Sequence, residues 1–381
     1  MLMNTYGRFP VTFVSGEGSR LFDENGKKYL DFASGIGVNS VGCAHPKWVK
    51  AVAEQAGRLA HTSNLYHTKP AAALAEKLAE LSGLSAVFFA NSGAEANEGL
   101  IKLARKYSHD KYGDVNRSTV VTLERSFHGR TVTTLAATGQ EVFHKNFAPF
   151  TPGFVHVPPN DTAALKQLGG EVCAVLLEVI QGEGGVFPLN ADYIKAVAEL
   201  CAERDWLLMF DEVQTGVGRT GKWFAFQRLG GILPDAVSFA KGIAGGLPLG
   251  GFIAGKKCAD VLKPGDHAST FGGKLVSCAA ALAVLEILEE ALPSVEEKGA
   301  YIRSELHKIK GLNNARGAGL MIGATVDAAV HGSARELVVK LLESGLVCLT
   351  AGGDSLRLMP PLVISQAEID EGLGILKNEI L

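Results

Sequence analysis

Two apolar runs in this chain stop at groups that titrate. Trp206-Leu207-Leu208-Met209-Phe210 ends on Asp211-Glu212, and Ala236-Val237-Ser238-Phe239-Ala240 ends on Lys241-Gly242. Runs this short and this apolar read as strands covered on both faces. That is the habit of parallel sheets, which present their chemistry beyond the carboxyl ends of the strands. Taken singly, Asp211 is as well explained as a cap and Lys241 as a solvated end. Delivered together to one sheet edge, an acid and a lysine suit pyridoxal phosphate. That cofactor takes a lysine as its Schiff-base partner and an acid against its pyridine nitrogen.

Other strand ends carry further groups. Asn91-Ser92-Gly93-Ala94-Glu95 turns a strand into a helix, and free N–H groups at a helix start attract an anion. Ser126-Phe127-His128-Gly129-Arg130 offers an aromatic face for a planar ring and a guanidinium for a carboxylate. Glu178-Val179-Ile180-Gln181-Gly182-Glu183 brings two carboxylates into a glycine-rich loop. Ser269-Thr270-Phe271-Gly272-Gly273 sets hydroxyls ahead of a long helix. Each signal is weak alone; their coincidence at the ends of strands in one sheet is the argument. Gly216-Val217-Gly218-Arg219-Thr220-Gly221-Lys222 imitates a nucleotide-binding loop but fails on context. Trp223 stands where a P-loop needs Ser or Thr, and five residues, Asp211 to Thr215, two of them acidic, separate the glycines from their strand.

The elements that must position these groups alternate. Helices are expected at 46–59 and 71–81, then strands at 86–90, 119–123, 154–157, 173–179, 206–210 and 236–240, with helices at 96–107 and 193–203 among them. This pattern predicts an α/β domain with a mostly parallel sheet. A β-meander is expected over 11–33, turning at Ser15–Gly18 and Asn25-Gly26, followed by a glycine-rich loop to Gly42. Pro293-Ser294 is expected to divide a helix at 274–292 from a second at 295–310. Strands near 319–326 and 346–350 and helices at 334–343 and 366–379 then form a smaller α+β unit packed on the N-terminal meander.

Bulk composition narrows the classes. The 381 residues are 47% hydrophobic and 20% charged with net charge −3, so no basic face invites nucleic acid or a membrane. The six cysteines are scattered without metal-ligand spacing. No secretory leader is visible, and a cytoplasmic protein is expected.

In combination these stretches resemble the class III, ornithine-type aminotransferases of fold type I. The resemblance runs from Thr5-Tyr6-Gly7-Arg8-Phe9-Pro10 through Asn91–Asn97, Ser126–Thr131, Gln181–Gly185, Asp211–Gly216 and Ser269–Gly273 to Leu356-Arg357-Leu358-Met359-Pro360-Pro361. It implies a pyridoxal-phosphate transferase with a large α/β domain, residues 45–292. A small α+β domain would come from residues 1–44 with 293–381. Lys241 would carry the cofactor and shuttle a proton, with Asp211 against the pyridine nitrogen. Val213 and Phe127 would sandwich the ring, and Gln214 would meet its phenolic oxygen. Ser92, Gly93 and Ala94 would hold the phosphate, joined by Thr270 across a homodimer with shared active sites. Arg130, with Ser269 nearby, would bind the substrate carboxylate, and Glu183 would mask Arg357 for one substrate and release it for the other. The substrates implied are N2-acetylornithine and 2-oxoglutarate, with ornithine, succinylornithine or 4-aminobutyrate as alternative donors. Ile36, expected to wall the donor's α-nitrogen, favours the acetylated one. Val179 and His67 depart from the family's usual proline and tyrosine.

Overall fold

The computed structural model describes residues 2–380. The meander forms as β1 (Phe13–Glu17), β2 (Arg20–Asp23) and β3 (Lys28–Asp31). Its first turn is tighter than the expected Ser15–Gly18. Glu17 pairs with Arg20, so only Gly18, at φ 55°, and Ser19 remain outside the ladder. A left-handed glycine permits that two-residue turn and draws Ser15–Glu17 into the strand. The glycine-rich loop after β3 holds one bent helical turn, α1 (Ser34–Gly37). Next come α2 (Pro46–Arg58) and α3 (Lys69–Ser82), each with proline in its first turn, where its missing N–H costs nothing.

The large sheet then assembles from β4 (Ala86–Ala90), β5 (Thr119–Leu123), β6 (Phe154–Val157) and β7 (Val172–Leu177). After a small hairpin, β8 (Ile180–Gln181) and β9 (Phe187–Pro188), it gains β10 (Leu207–Asp211), β11 (Ala236–Phe239) and β12 (Gly250–Ala254). The crossovers carry α4 (Gly93–Tyr112), α5 (Val132–Ala137), α6 (Thr162–Lys166) and α7 (Ala191–Arg204). Spatial order is β4-β12-β11-β10-β7-β5-β6. The strands are parallel except β12, which runs antiparallel to both neighbours.

The apolar runs are explained by two cores. Val175 and Leu177 of β7 and Leu208 and Phe210 of β10 enter one core; Ala174, Leu176, Leu207 and Met209 enter the other. Alternate side chains point to opposite faces, and both faces are covered, so no polar residue is needed in either register. Strand β12 went unread because Gly250 and Gly251 weaken its pattern. A Cβ on them would meet Ser92 O at 2.5 Å and Phe88 O at 2.2 Å. Close backbone approach demands the glycines and at the same time hides the strand.

The expected break at Pro293 does not occur. One helix, α8 (Leu275–Leu306), runs through it. Leu285, Leu288, Val295 and Ile302 are buried along both halves, and that continuous packing outweighs the lost backbone bond. Beyond it lie β13 (Leu312–Ala318), β14 (Met321–Val326), α9 (Ala328–His331), α10 (Ala334–Glu343), β15 (Leu346–Val347), β16 (Leu349–Ala351), β17 (Ser355–Leu358) and α11 (Gln366–Ile380). The N-terminal meander is joined to the C-terminal region, since β15 pairs in parallel with β3, Leu346 beside Leu30. The nucleotide-loop imitation folds as a set of turns around buried Arg219, which donates to Leu320 O at 3.0 Å and Pro360 O at 2.6 Å.

Helix α8 touches backbone at Gly299, where a Cβ would lie 1.8 Å from Gly319 O, whereas Gly57 in α2 has nothing within 4 Å. Gly299→Ala is therefore expected to destabilise by about 1–3 kcal/mol. Gly57→Ala should stabilise by up to about 1 kcal/mol. Thermal unfolding of the two variants beside wild type checks both signs.

Candidate active site

Strands β10 and β11 are parallel neighbours, with Asp211 opposite Ser238. Their common direction puts Asp211 and, just past the end of β11, Lys241 at one edge. A cavity of about 490 Å³ opens there. Of the residues singled out from the sequence, Lys241, Asp211, Ser92, Gly93, Ala94, Phe127, Val213, Gln214, Arg130 and Glu183 line it. Arg357, Ser269 and Thr270 do not.

Asp211 is 4% exposed, and each oxygen is met by donors. Asn97 Nδ2 and His128 Nδ1 reach Oδ2 at 2.7 and 2.8 Å; Val213 N and Ser238 Oγ reach Oδ1 at 3.0 and 3.3 Å. Burial alone would raise the carboxyl's pKa. The donors, His128 foremost, reverse that and hold it below the ordinary value. Because an ionised carboxylate only accepts, His128 carries its hydrogen on Nδ1 toward Asp211. Asn97 was not read from the sequence. It lies one helical turn after Gly93 on α4, so the 3.6-residue period would have placed it on the cavity side.

Lys241 has a left-handed backbone, φ 37°, which is uncommon for a residue with a side chain. Burial lowers its pKa, with Glu183 pulling the other way through space. Helix α4 supplies the anion-attracting end. Ser92 caps it by accepting from Glu95 N at 3.2 Å, leaving the N–H groups of Gly93 and Ala94 without intrahelical partners. At Gly93 a Cβ would sit 2.6 Å from Val213 Cγ1, so only a bare backbone fits beside that wall.

At the other side stands an ion pair. Arg357 on β17, 2% exposed, donates to Glu183 Oε1 at 2.7 Å. Gln214 bridges the two: its Nε2 donates to Glu183 Oε1 at 3.1 Å and its Oε1 accepts from Arg357 at 3.3 Å. Arg357 reaches the cavity through these partners. Glu178, whose carboxyl burial pushes up to about 7, ties the two loops together by accepting from Phe127 N at 3.1 Å and Gly182 N at 3.2 Å.

Ser269 stays near the rim, where its Oγ accepts from Asn91 Nδ2 at 3.1 Å. Thr270 is exposed, outside this chain's cavity. Ile36 is 42% exposed and does not line the cavity; Val38 does. The bend in α1 turns Ile36 outward, with φ 67°. His67 is exposed and Val179 is buried.

Burial works against the Glu183 anion, yet Arg357 and Lys241 outweigh it and hold the carboxyl at about 2, against 4.5 unperturbed. A lowered acid stabilises the fold above its unfolded pKa and loses that contribution as pH falls through the folded one. Glu183→Gln should therefore cost on the order of 1–2 kcal/mol near neutrality. The Tm difference from wild type should shrink as pH drops from 4.5 toward 2; a pH-independent difference would contradict this.

The family model "Aminotransferase class-III" matches residues 2–380. The chain is similar to the acetylornithine aminotransferase of Haemophilus ducreyi, 51% identical over 378 residues, 98% of this chain and 95% of that protein. Among solved structures it is similar to the N-acetylornithine aminotransferase of Stenotrophomonas maltophilia K279a. That match has TM-score 0.86 at 35% identity and covers 98% of this chain and 96% of the other. It is also similar to the ornithine aminotransferase of Toxoplasma gondii crystallised with oxidised glutathione, with TM-score 0.93 at 33% identity, covering 100% and 92%. In that protein PLP partially occupies the active site. The chain belongs to the class-III aminotransferases.

Proposed function

We propose that this enzyme transfers the terminal amino group of N2-acetylornithine to 2-oxoglutarate, using pyridoxal phosphate. The observation that carries the reading is a cavity served by two guanidiniums of unlike status. Arg130 lines it without an ion-pair partner among the described residues, while Arg357 is masked by Glu183. The donor brings one carboxylate, far from its reacting amine, and Arg130 is the cation for it. The acceptor brings carboxylates at both ends and needs a second cation. Arg357 serves when Glu183 moves aside. Left bare, it would repel an ammonium and offer nothing to the aliphatic end of the donor.

The residues present fit the cofactor. Lys241 and Asp211 face one cavity, the free N–H groups of Gly93 and Ala94 suit a phosphate, and Phe127 and Val213 offer apolar walls. When bound, pyridoxal phosphate supplies the aldehyde that captures the amine and the electron-withdrawing ring that makes the adjacent C–H acidic. Lys241, with its lowered pKa, reaches the neutral form more readily, so Nζ can take and return a proton at the reacting carbon. Asp211, kept ionised by its donors, stabilises positive charge at a ring nitrogen placed against it. Gln214, already bridging Glu183 and Arg357, can also present its amide to the ring's phenolic oxygen.

Thr270 is exposed outside its own cavity beside exposed Phe271, which suits a phosphate contact across a homodimer with shared active sites. The large domain is assigned to residues 45–292 and the small one to residues 1–44 with 293–381, so that the continuous helix α8 crosses from one to the other. No helix among the described residues is long and apolar enough to cross a membrane. The six free cysteines suit the reducing cytoplasm.

Three measurements test this. Borohydride reduction of the yellow holoenzyme followed by peptide mapping should place the cofactor on Lys241. In a donor panel with 2-oxoglutarate, acetylornithine should exceed ornithine, succinylornithine and 4-aminobutyrate in kcat/KM. A label on another lysine, or a better donor, overturns the corresponding part. Single-turnover absorbance should also separate the two cations. Glu183→Ala should slow the acetylornithine half-reaction and spare the 2-oxoglutarate half, while Arg357→Ala should do the reverse. Equal slowing of both halves by both variants would leave the pair a static brace.

A further inference from the structure

Arg130 is held in an unusual way for a residue assigned to carboxylate binding. Its side chain enters none of the ion pairs found among the described residues, unlike Arg357. Two aromatic rings hold it. The guanidinium carbon lies 3.9 Å from the centroid of Phe143 and 5.5 Å from that of Phe127. The rings meet edge-on, their centroids 5.6 Å apart at 79°. Phe143 closes a single 3₁₀ turn, Glu141–Phe143, in a segment whose neighbour Val142 is 74% exposed. It also walls a second cavity, about 460 Å³, which shares Glu183 with the first.

The chemistry of that contact matters. A carboxylate partner would fix Arg130 but neutralise it and occupy its N–H groups. An aromatic face attracts the cation through its quadrupole and leaves the N–H edges free. Phe127 is already committed to the cavity wall, and at 5.5 Å it is the weaker of the two contacts. We propose that Phe143 is the positioning residue for carboxylate recognition: its ring holds the Arg130 guanidinium at the cavity rim, without a counter-charge and with its N–H groups free for the donor's carboxylate. This rests on the reading that Arg130 takes that carboxylate.

The test compares two donors on the reconstituted full-length holoenzyme. Acetylornithine carries the carboxylate; N-acetyl-1,4-diaminobutane is the same molecule without it. Phe143→Leu keeps an apolar side chain but removes the ring. It should raise KM for acetylornithine roughly 3- to 30-fold with kcat little changed, and leave kcat/KM for the carboxylate-free donor unaltered. Phe143→Tyr should restore the wild-type KM, and Phe143→Leu should add nothing in an Arg130→Ala background. Equal losses on both donors, no loss on acetylornithine, or failure of Tyr to rescue would each overturn the proposal. Melting and cofactor absorbance establish that each variant is folded and loaded. Should Phe143→Leu fail that check, Phe143→Met beside Phe143→Tyr asks the same question. Wild-type turnover of acetylornithine judges the donor reading separately. If it is absent, the ratio is taken with ornithine against 1,4-diaminobutane, and Phe143 stands or falls on that pair.

Discussion

A carboxylate removed from water is tolerable only where donors replace the water it has lost. Asp211 meets that demand by drawing on four parts of the chain. Asn97 comes from α4, His128 from the loop after β5, Ser238 from β11, and Val213 from its own loop. The acid thereby fixes the start of α4 and the end of β11 in relation to each other, and with them Gly93 and Lys241. Removing the charge would strand buried donors on several elements at once, each an expensive loss. The same bonds that make the site rigid keep Asp211 ionised, as its proposed place against the pyridine nitrogen requires.

Two other buried acids do comparable work with backbone. Glu178 joins the loops bearing Phe127 and Glu183. Glu212 accepts from Ala225 N and Phe226 N, each at 2.8 Å, and from Thr215 Oγ1 at 3.0 Å, which pins the turns that follow β10. Burial pushes both carboxyls up to about 7. They are suited to bracing loops, whereas Asp211 and Glu183, surrounded by cations and donors, remain charged. Environment has divided four carboxylates at one sheet edge into two braces and two electrostatic groups.

The smaller sheets contribute reach. Arg357 belongs to β17, paired with β14 at Gly323, and arrives from the far end of the chain to meet Glu183. Arg219 supports the same region by gripping carbonyls before β14 and after β17. An ion pair whose two members, Arg357 and Glu183, belong to different sheets and loops can change when those parts shift relative to each other. That suits the proposed switch, in which the second cation is hidden at one stage and bare at another.

The sequence alone determined the mostly parallel sheet, because burial on both faces leaves unbroken apolar runs and the helical patterns between several of them call for crossovers. It also placed Asp211, Lys241 and the capped start of α4 at strand ends, since turn and cap chemistry are local. Arg130, Glu183 and Arg357 were legible through their motifs. Tertiary structure decided what depends on neighbours distant in the chain. The glycines of β12 are required by backbone pressed against them. Helix α8 continues through Pro293 because one packed surface runs along its whole length. Asn97 and His128 acquire their roles from an acid more than eighty residues away. Ile36, read as a wall, is turned outward by a left-handed bend that no periodicity could announce. Local rules fix which groups a segment offers; only packing decides which of them face one another, because that choice rests on contacts between segments and not on the order of residues within them.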